Sequence, residues 1–270
     1  MGTLAANLPV RAVIDAFGAS GGPISLQGGQ GTAVRAGHLV LKPVGDATEI
    51  EWSARTLEGI AADGFRLARH VRAVDGRWVV EGWAATEYVE GRQEPGERLA
   101  EKLAVTRRLH AATQNLRRPA FLDNRTDLWN MADRAVWGEA PALRVVTSQP
   151  LWRSLTARLR PLPDARPQVV HGDLDGNVLF ADGDVPAVID FTPYWRPALW
   201  SEAVLIADTL TWSDARQALD ARATLGEDAD QYLLRGLLFR LAAHLLRTEG
   251  GFTSLPRFEA AARQLWPAWL

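Results

Sequence analysis

Two carboxylates and an amide fall close together in the second half of the chain. The segment Val169-Val170-His171-Gly172-Asp173-Leu174-Asp175-Gly176-Asn177-Val178-Leu179-Phe180 supplies Asp173 and Asn177, and Val188-Ile189-Asp190-Phe191 brings Asp190 within 18 positions of Asp173. Each group sits beside a short apolar run of the kind that forms strands. Hard oxygens held at strand ends can bind Mg²⁺ and the phosphates of a nucleotide next to an acceptor hydroxyl. Turn chemistry alone would explain any single Asp, Gly or Asn here. The ordered set of His171, Gly172, Asp173, Asn177, the run 178–180 and Ile189-Asp190-Phe191 is what points to a site.

On these residues the chain resembles the aminoglycoside phosphotransferase and choline kinase superfamily, whose catalytic loop reads His-Gly-Asp-Leu, a short spacer, then Asn. The resemblance implies that Asp173 accepts or orients the proton of the acceptor hydroxyl. It implies that Asn177 and Asp190 are the Mg²⁺ ligands, and that His171, in the catalytic loop with Asp173, braces it by hydrogen bonds. The co-substrate would be ATP or GTP, and the acceptor a small-molecule hydroxyl of aminoglycoside-, sugar- or choline-like type. One departure matters. The family's Asn lies five positions after the Asp, whereas Asn177 lies four after Asp173. Either Gly176 lets the backbone tighten so that the amide still reaches the metal, or the geometry is altered. The second case would leave a pseudokinase, a nucleotide-binding or scaffolding module without turnover. Asn177-Val178 and Pro193-Tyr194-Trp195-Arg196-Pro197, with this short loop, resemble an actinobacterial branch of the superfamily.

The same resemblance implies a nucleotide clamp in the N-terminal half. Lys42, ending the run Leu39-Val40-Leu41, falls where the family's strand lysine meets the α- and β-phosphates. Glu51 is the choice for its ion-pair partner, with Glu49 and Glu58 as alternatives. In the turn Gly28-Gly29-Gln30-Gly31-Thr32, the backbone of Gly29, Gly31 and Thr32 could approach phosphate, or the turn could simply be tight. The run Ala85-Thr86-Glu87-Tyr88-Val89 matches the hinge that pairs an adenine edge through backbone atoms. His110, in a Leu-His pair, reads as packing. Glu202 falls where the family has an Asp tying the helical lobe to the catalytic loop.

The elements around these residues follow from periodicity and breakers. A helix over 10–17, strands over 24–26, 33–35 and 38–42, and a helix over 49–62 capped by Asp46 or Thr48 are expected. Strands over 71–74 and 78–81 would be joined by Asp75-Gly76, followed by a strand over 82–89. The polar stretch 90–96 reads as a lobe boundary. Helices are expected over 97–114, 128–136, 142–159, 198–212, 229–247 and 256–266. Between them 169–190 reads as strand, loop, strand, with Asp182-Gly183 as its turn. The resemblance thus implies an α+β, bilobal protein-kinase-like fold. A small mixed β lobe over 1–90 would clamp nucleotide, and a larger, mainly helical lobe over 91–270 would carry catalysis and acceptor binding.

Composition bounds the partners. A chain of 270 residues that is 47% apolar can bury a sizeable core, and a net charge of −2 offers no cation excess for a nucleic-acid backbone. With no cysteine there are no disulfides or thiolate metal sites, which fits the cytoplasm. The first residues lack a signal-peptide pattern, and no run reaches the roughly 18 apolar residues of a membrane span. Acceptor recognition is expected from residues 121–139, 194–196 and the last helices. Asp123, Asp127, Asp133 and Glu139 there could draw a cationic acceptor or form a solvated face beside Arg125 and Arg134. Trp129, Trp137 and Trp195 could stack on a sugar or cation, or fill the core.

Overall fold

The computed structural model describes residues 9–26, 31–249 and 254–268. The first third holds helices α1 (Arg11–Ala16) and α2 (Ala47–Glu58). Its strands are β1 (Ile24–Ser25), β2 (Val34–Ala36), β3 (Leu39–Pro43), β4 (Arg66–Leu67), β5 (His70–Val71), β6 (Val79–Val80), β7 (Trp83–Glu87) and β8 (Arg92–Gln93). Next come α3 (Leu99–Thr113), α4 (Leu128–Val136), α5 (Arg144–Thr147) and α6 (Pro150–Thr156). Strands β9 (Gln168–His171), β10 (Val178–Phe180), β11 (Ala187–Val188) and β12 (Pro193–Arg196) follow. The chain then runs through α7 (Ala198–Trp212), α8 (Ala215–Ala221), α9 (Ala229–Arg247) and α10 (Leu255–Leu265). It forms two compact units, Met1–Gln93 with Gly176–Phe191, and Glu94–Asp175 with Thr192–Leu270. The segment 169–191 is therefore divided between them, where the sequence suggests one cut after residue 90.

The first unit contains an antiparallel sheet in the order β1-β2-β3-β7-β5, with β6 also on β7. Alternation along β3 buries Leu39 and Leu41 against Val13 and Ile14 of α1 and Phe17 just after it, which turns Lys42 to the opposite face. The Asp46 carboxylate accepts the Thr48 N–H at 2.8 Å and starts α2; Arg69 donates to the carbonyls of Leu57 and Ile60 at its far end. Asp75-Gly76 does turn, but the strands on either side of it both pair with β7 and not with each other. The two-residue hairpin is Glu81-Gly82, joining β6 to β7 with φ of 47° and 76°, the sign a type I′ turn needs. A second sheet runs β4-β11-β10-β8, in which β10 and β11 form an antiparallel hairpin.

The second unit is built on α7 and α9, both buried nearly all round. Gly236 of α9 lets the two backbones meet: a Cβ there would lie 2.8 Å from the Ala203 carbonyl oxygen. Strand β9 pairs with β12, not with β10, through His171↔Pro193 and Val170↔Tyr194. The single helix expected over 142–159 is two, because Pro150 lacks an N–H and opens a new helix at its first position. Tyr194, Trp200 and Phe239 pack edge to face at centroid distances of 5.4, 5.8 and 5.3 Å.

Candidate active site

In the first unit, the β10–β11 hairpin places two oxygen donors at its open end. Val178 pairs with Val188, and the Ile189 N–H donates to the Asn177 carbonyl at 3.0 Å, so Asn177 and Asp190 flank the last rung of the ladder. Asp190 takes a left-handed backbone, φ 53°, which Asp tolerates better than most L-residues. Its Oδ2 lies 2.8 Å from Lys42 Nζ, and both side chains are partly exposed. Strand β3 and the hairpin thus bring together two of the expected site residues. Glu51 is not the partner found for Lys42: it pairs along its own helix with Arg55 at 3.4 Å, since residues four apart share a helix face. The Asp190 charge reaches His70, but burial dominates there and holds the imidazole pKa below its ordinary value.

Gly31 has φ 69° and Thr32 is exposed, both ahead of β2; Gly29, with Gly28 and Gln30, lies outside the described residues. In the expected hinge, the N–H groups of Glu87 and Tyr88 are taken by the carbonyls of Arg69 and His38, each at 2.8 Å. Arg66 donates to the Glu90 carbonyl at 3.2 Å. Val89, between them, makes no hydrogen bond to another described residue.

In the second unit, β9 ends at a buried His171. Its Nδ1 accepts the Asp173 N–H at 3.2 Å, its own N–H donates to His110 Nε2 at 3.1 Å, and its carbonyl accepts the Ser201 hydroxyl at 2.5 Å. An imidazole accepting at Nδ1 carries its proton at Nε2. His171 has no exposed surface, and its hydrogen bonds tie this loop to α3 and α7. Burial, with the neighbouring His171, pulls the pKa of His110 down to about 3, so it stays neutral and keeps accepting. Ser201 performs the tie from α7 to this loop; its neighbour Glu202 instead binds Arg107 of α3 at 2.7 Å.

Two cations that the sequence did not single out hold the loop's acids. Arg240 of α9, nearly buried, donates to Asp173 Oδ1 at 2.7 Å and grips Asp208 of α7 with Nε and Nη2 at 2.5 to 3.0 Å. Burial pushes Asp208 up to about 7 against the pull of Arg240. For Arg240 burial opposes the charge, but Asp208 and Asp173 together outweigh it and raise its pKa. Lys102 of α3, fully buried, donates to Asp175 Oδ1 at 2.7 Å and to the Glu94 carbonyl at 2.6 Å; Asp175 also accepts the Gly96 N–H at 2.9 Å. Gly96 has φ 72° and no room for a Cβ beside Ser213.

Of the acids in the stretch 123–139 only Asp133 is buried, and each of the four has a partner. Asp123 pairs with Arg118, Asp127 caps α4, and Asp133 and Glu139 share Arg196 at 2.7 and 2.6 Å. Trp137 packs between Arg196 and Arg235, at 5.0 and 4.8 Å from the ring centre. Trp129 is half-buried with Arg240 5.6 Å from its ring centre, which sets it near Asp173. Among the described residues no group of three or more His, Asp or Glu side chains converges on a metal position, and no helix is long and apolar enough to cross a membrane.

The model of the phosphotransferase enzyme family matches residues 32–230. The chain belongs to that family. Among solved structures, this phosphotransferase is similar to an aminoglycoside phosphotransferase from Alicyclobacillus acidocaldarius at 18% identity and TM-score 0.61, covering 96% of this chain and 93% of the other. It is similar to a choline kinase from Streptococcus pneumoniae at 12% identity and TM-score 0.64, covering 96% and 98%. A spectinomycin phosphotransferase solved with ADP and spectinomycin matches at 15% identity and TM-score 0.53, covering 94% and 92%. At these identities the likeness is one of fold. It bears out the expected α+β architecture, with an antiparallel N-terminal sheet and a helical C-terminal region. No curated protein matches the chain by sequence.

Proposed function

We propose that this phosphotransferase is a small-molecule kinase that moves the γ-phosphoryl group of ATP or GTP to a hydroxyl of an aminoglycoside-, sugar- or choline-like acceptor. The observation that carries the reading is the pairing of Lys42 with Asp190 at 2.8 Å, at the hairpin end that also presents Asn177. Family membership supports it, as do fold relatives that include a choline kinase and a phosphotransferase solved with ADP and spectinomycin.

The donor set suits Mg²⁺: a carboxylate and an amide oxygen are hard ligands, few enough to leave positions for phosphate oxygens and water. Asp190 and Asn177 would hold the ion, which when bound neutralises charge on the β- and γ-phosphates. Lys42, partly exposed, exchanges its carboxylate partner for phosphate oxygens when nucleotide binds. The Val89 backbone offers a donor and an acceptor to a base edge. In the second unit, Asp173 takes up or orients the hydroxyl proton as the acceptor oxygen bonds to phosphorus. The bond to the nucleoside diphosphate breaks, and that product leaves with the bonding pair. Trp129, beside Arg240, is the aromatic best placed to meet an acceptor ring or cation. The first unit, which includes 176–191, would thus serve the nucleotide and its ion, and the second unit the acceptor, in the cytoplasm.

The test is a transfer assay with ATP and GTP, Mg²⁺ and a panel of aminoglycosides, sugars and amino alcohols. Wild type should phosphorylate a panel member; Asp173→Asn should lose about 100-fold or more in kcat while a nucleotide-dependent thermal shift persists. The shortened spacer favours one rival, the pseudokinase. Nucleotide binding without transfer to any hydroxyl would support that rival.

A further inference from the structure

We propose that Arg240 and Lys102 are positioning residues for the base, two buried cations that hold the Asp173-Leu174-Asp175 segment from α9 and from α3 and fix its register. This rests on the reading of Asp173 as the base. The segment alternates: Asp173 and Asp175 reach out to the cations, and Leu174 between them is 2% exposed. Neither cation is free to swing. Arg240 is gripped on its other side by both oxygens of Asp208, and Lys102 is tied to the Glu94 carbonyl. Five charges are thus gathered: Asp173, Asp175 and Asp208 against Arg240 and Lys102. Removing either cation leaves a loop carboxylate without its counter-charge, and that carboxylate would then turn toward water.

The choice of cation is informative. The chain has two lysines and twenty-eight arginines, yet the buried position on α3 is a lysine. A compact ammonium on a slim stem fits the fully buried place between the Glu94 carbonyl and the Asp175 carboxylate, where a guanidinium would need more room. Arg240 has the opposite task, meeting one carboxylate in bidentate fashion while touching a second, and the fork suits it. The clamp also falls where the loop departs from its family. Asp175 stands midway between Asp173 and Asn177, in the spacer that is one residue short.

The test compares Arg240→Met, Arg240→Ala, Lys102→Met and Lys102→Arg with wild type by steady-state kinetics and by hydrogen exchange of amides 172–176. Each variant should exchange faster there and lose about tenfold or more in kcat, with KM for the nucleotide changed less than about threefold. Added guanidinium should restore part of the Arg240→Ala rate. Lys102→Arg should behave like Lys102→Met. If Arg240→Met does not fold, Arg240→Met with Asp208→Leu removes the stranded carboxylate and is measured in its place. Unchanged exchange at 172–176, or a loss seen wholly in KM, would overturn the proposal. If wild type transfers phosphate to no hydroxyl, the kinase reading fails, and exchange alone still decides whether the clamp holds.

Discussion

Acid should loosen this protein through His110. The imidazole titrates near 6.5 in an unfolded chain, and burial with the adjacent His171 brings it to about 3 in the folded one. Between those values the unfolded state binds the extra proton, so stability from this group is complete above pH 6.5 and is lost as pH falls. At pH 5, about 1.5 units below the unfolded value, the loss is about 2 kcal/mol, at about 1.4 kcal/mol per unit. In the folded protein Nε2 keeps accepting the His171 N–H until the pH nears 3, so the loss at pH 5 comes from the unfolded chain. Urea unfolding of wild type and His110→Gln at pH 7.5 and 5 isolates the effect, because the Gln oxygen reaches about as far as Nε2 and does not titrate. His38, His70 and His244 are present in both proteins and cancel. The wild type should lose about 2 kcal/mol relative to the variant on acidification. An identical difference at both pH values would show that His110 is not held neutral.

Three further substitutions test the packing beneath the site. Gly172→Ala would put a Cβ 2.4 Å from the Tyr194 ring, which is wedged against Trp200 and Phe239; a loss of about 2 kcal/mol in urea unfolding is expected, with lower kcat. Gly236→Ala gains about 1 kcal/mol of helix propensity but drives a methyl into the backbone of α7, and denaturation should show a net loss of about 1–2 kcal/mol. Asp127→Ala removes the acceptor for the N–H groups of Trp129 and Asn130, and calorimetry should register about 1 kcal/mol less stability.

Where a helix is uniformly apolar or has a clean cap, its limits were readable from the sequence: α4, α7 and α9 span the expected residues. Pairing was less legible. Glu81-Gly82 is a weaker turn signal than Asp75-Gly76, yet it closes the hairpin, because the choice of strand partner is made by the sheet and not by the turn. At the site, the resemblance assigns Lys42 and Asp190 to one nucleotide site and the fold pairs them, while helical spacing pairs Glu51 with Arg55. Arg240, Asp208 and Lys102 are not legible from local spacing, because the loop acids they serve, or those acids' partners, lie 32 to 73 positions away. A signal is present for two of them: Asp208 interrupts the apolar second half of α7, and for Lys102 there is the rarity of lysine itself.

That rarity has a practical side. Of the two ε-amines, one is sealed from solvent and the other stands partly open beside Asp190. A mild acylating reagent therefore finds, apart from the α-amino group, a single target in the folded chain. Whatever occupies the Lys42 position shields it, so intact-mass labelling reports occupancy there without any knowledge of the acceptor.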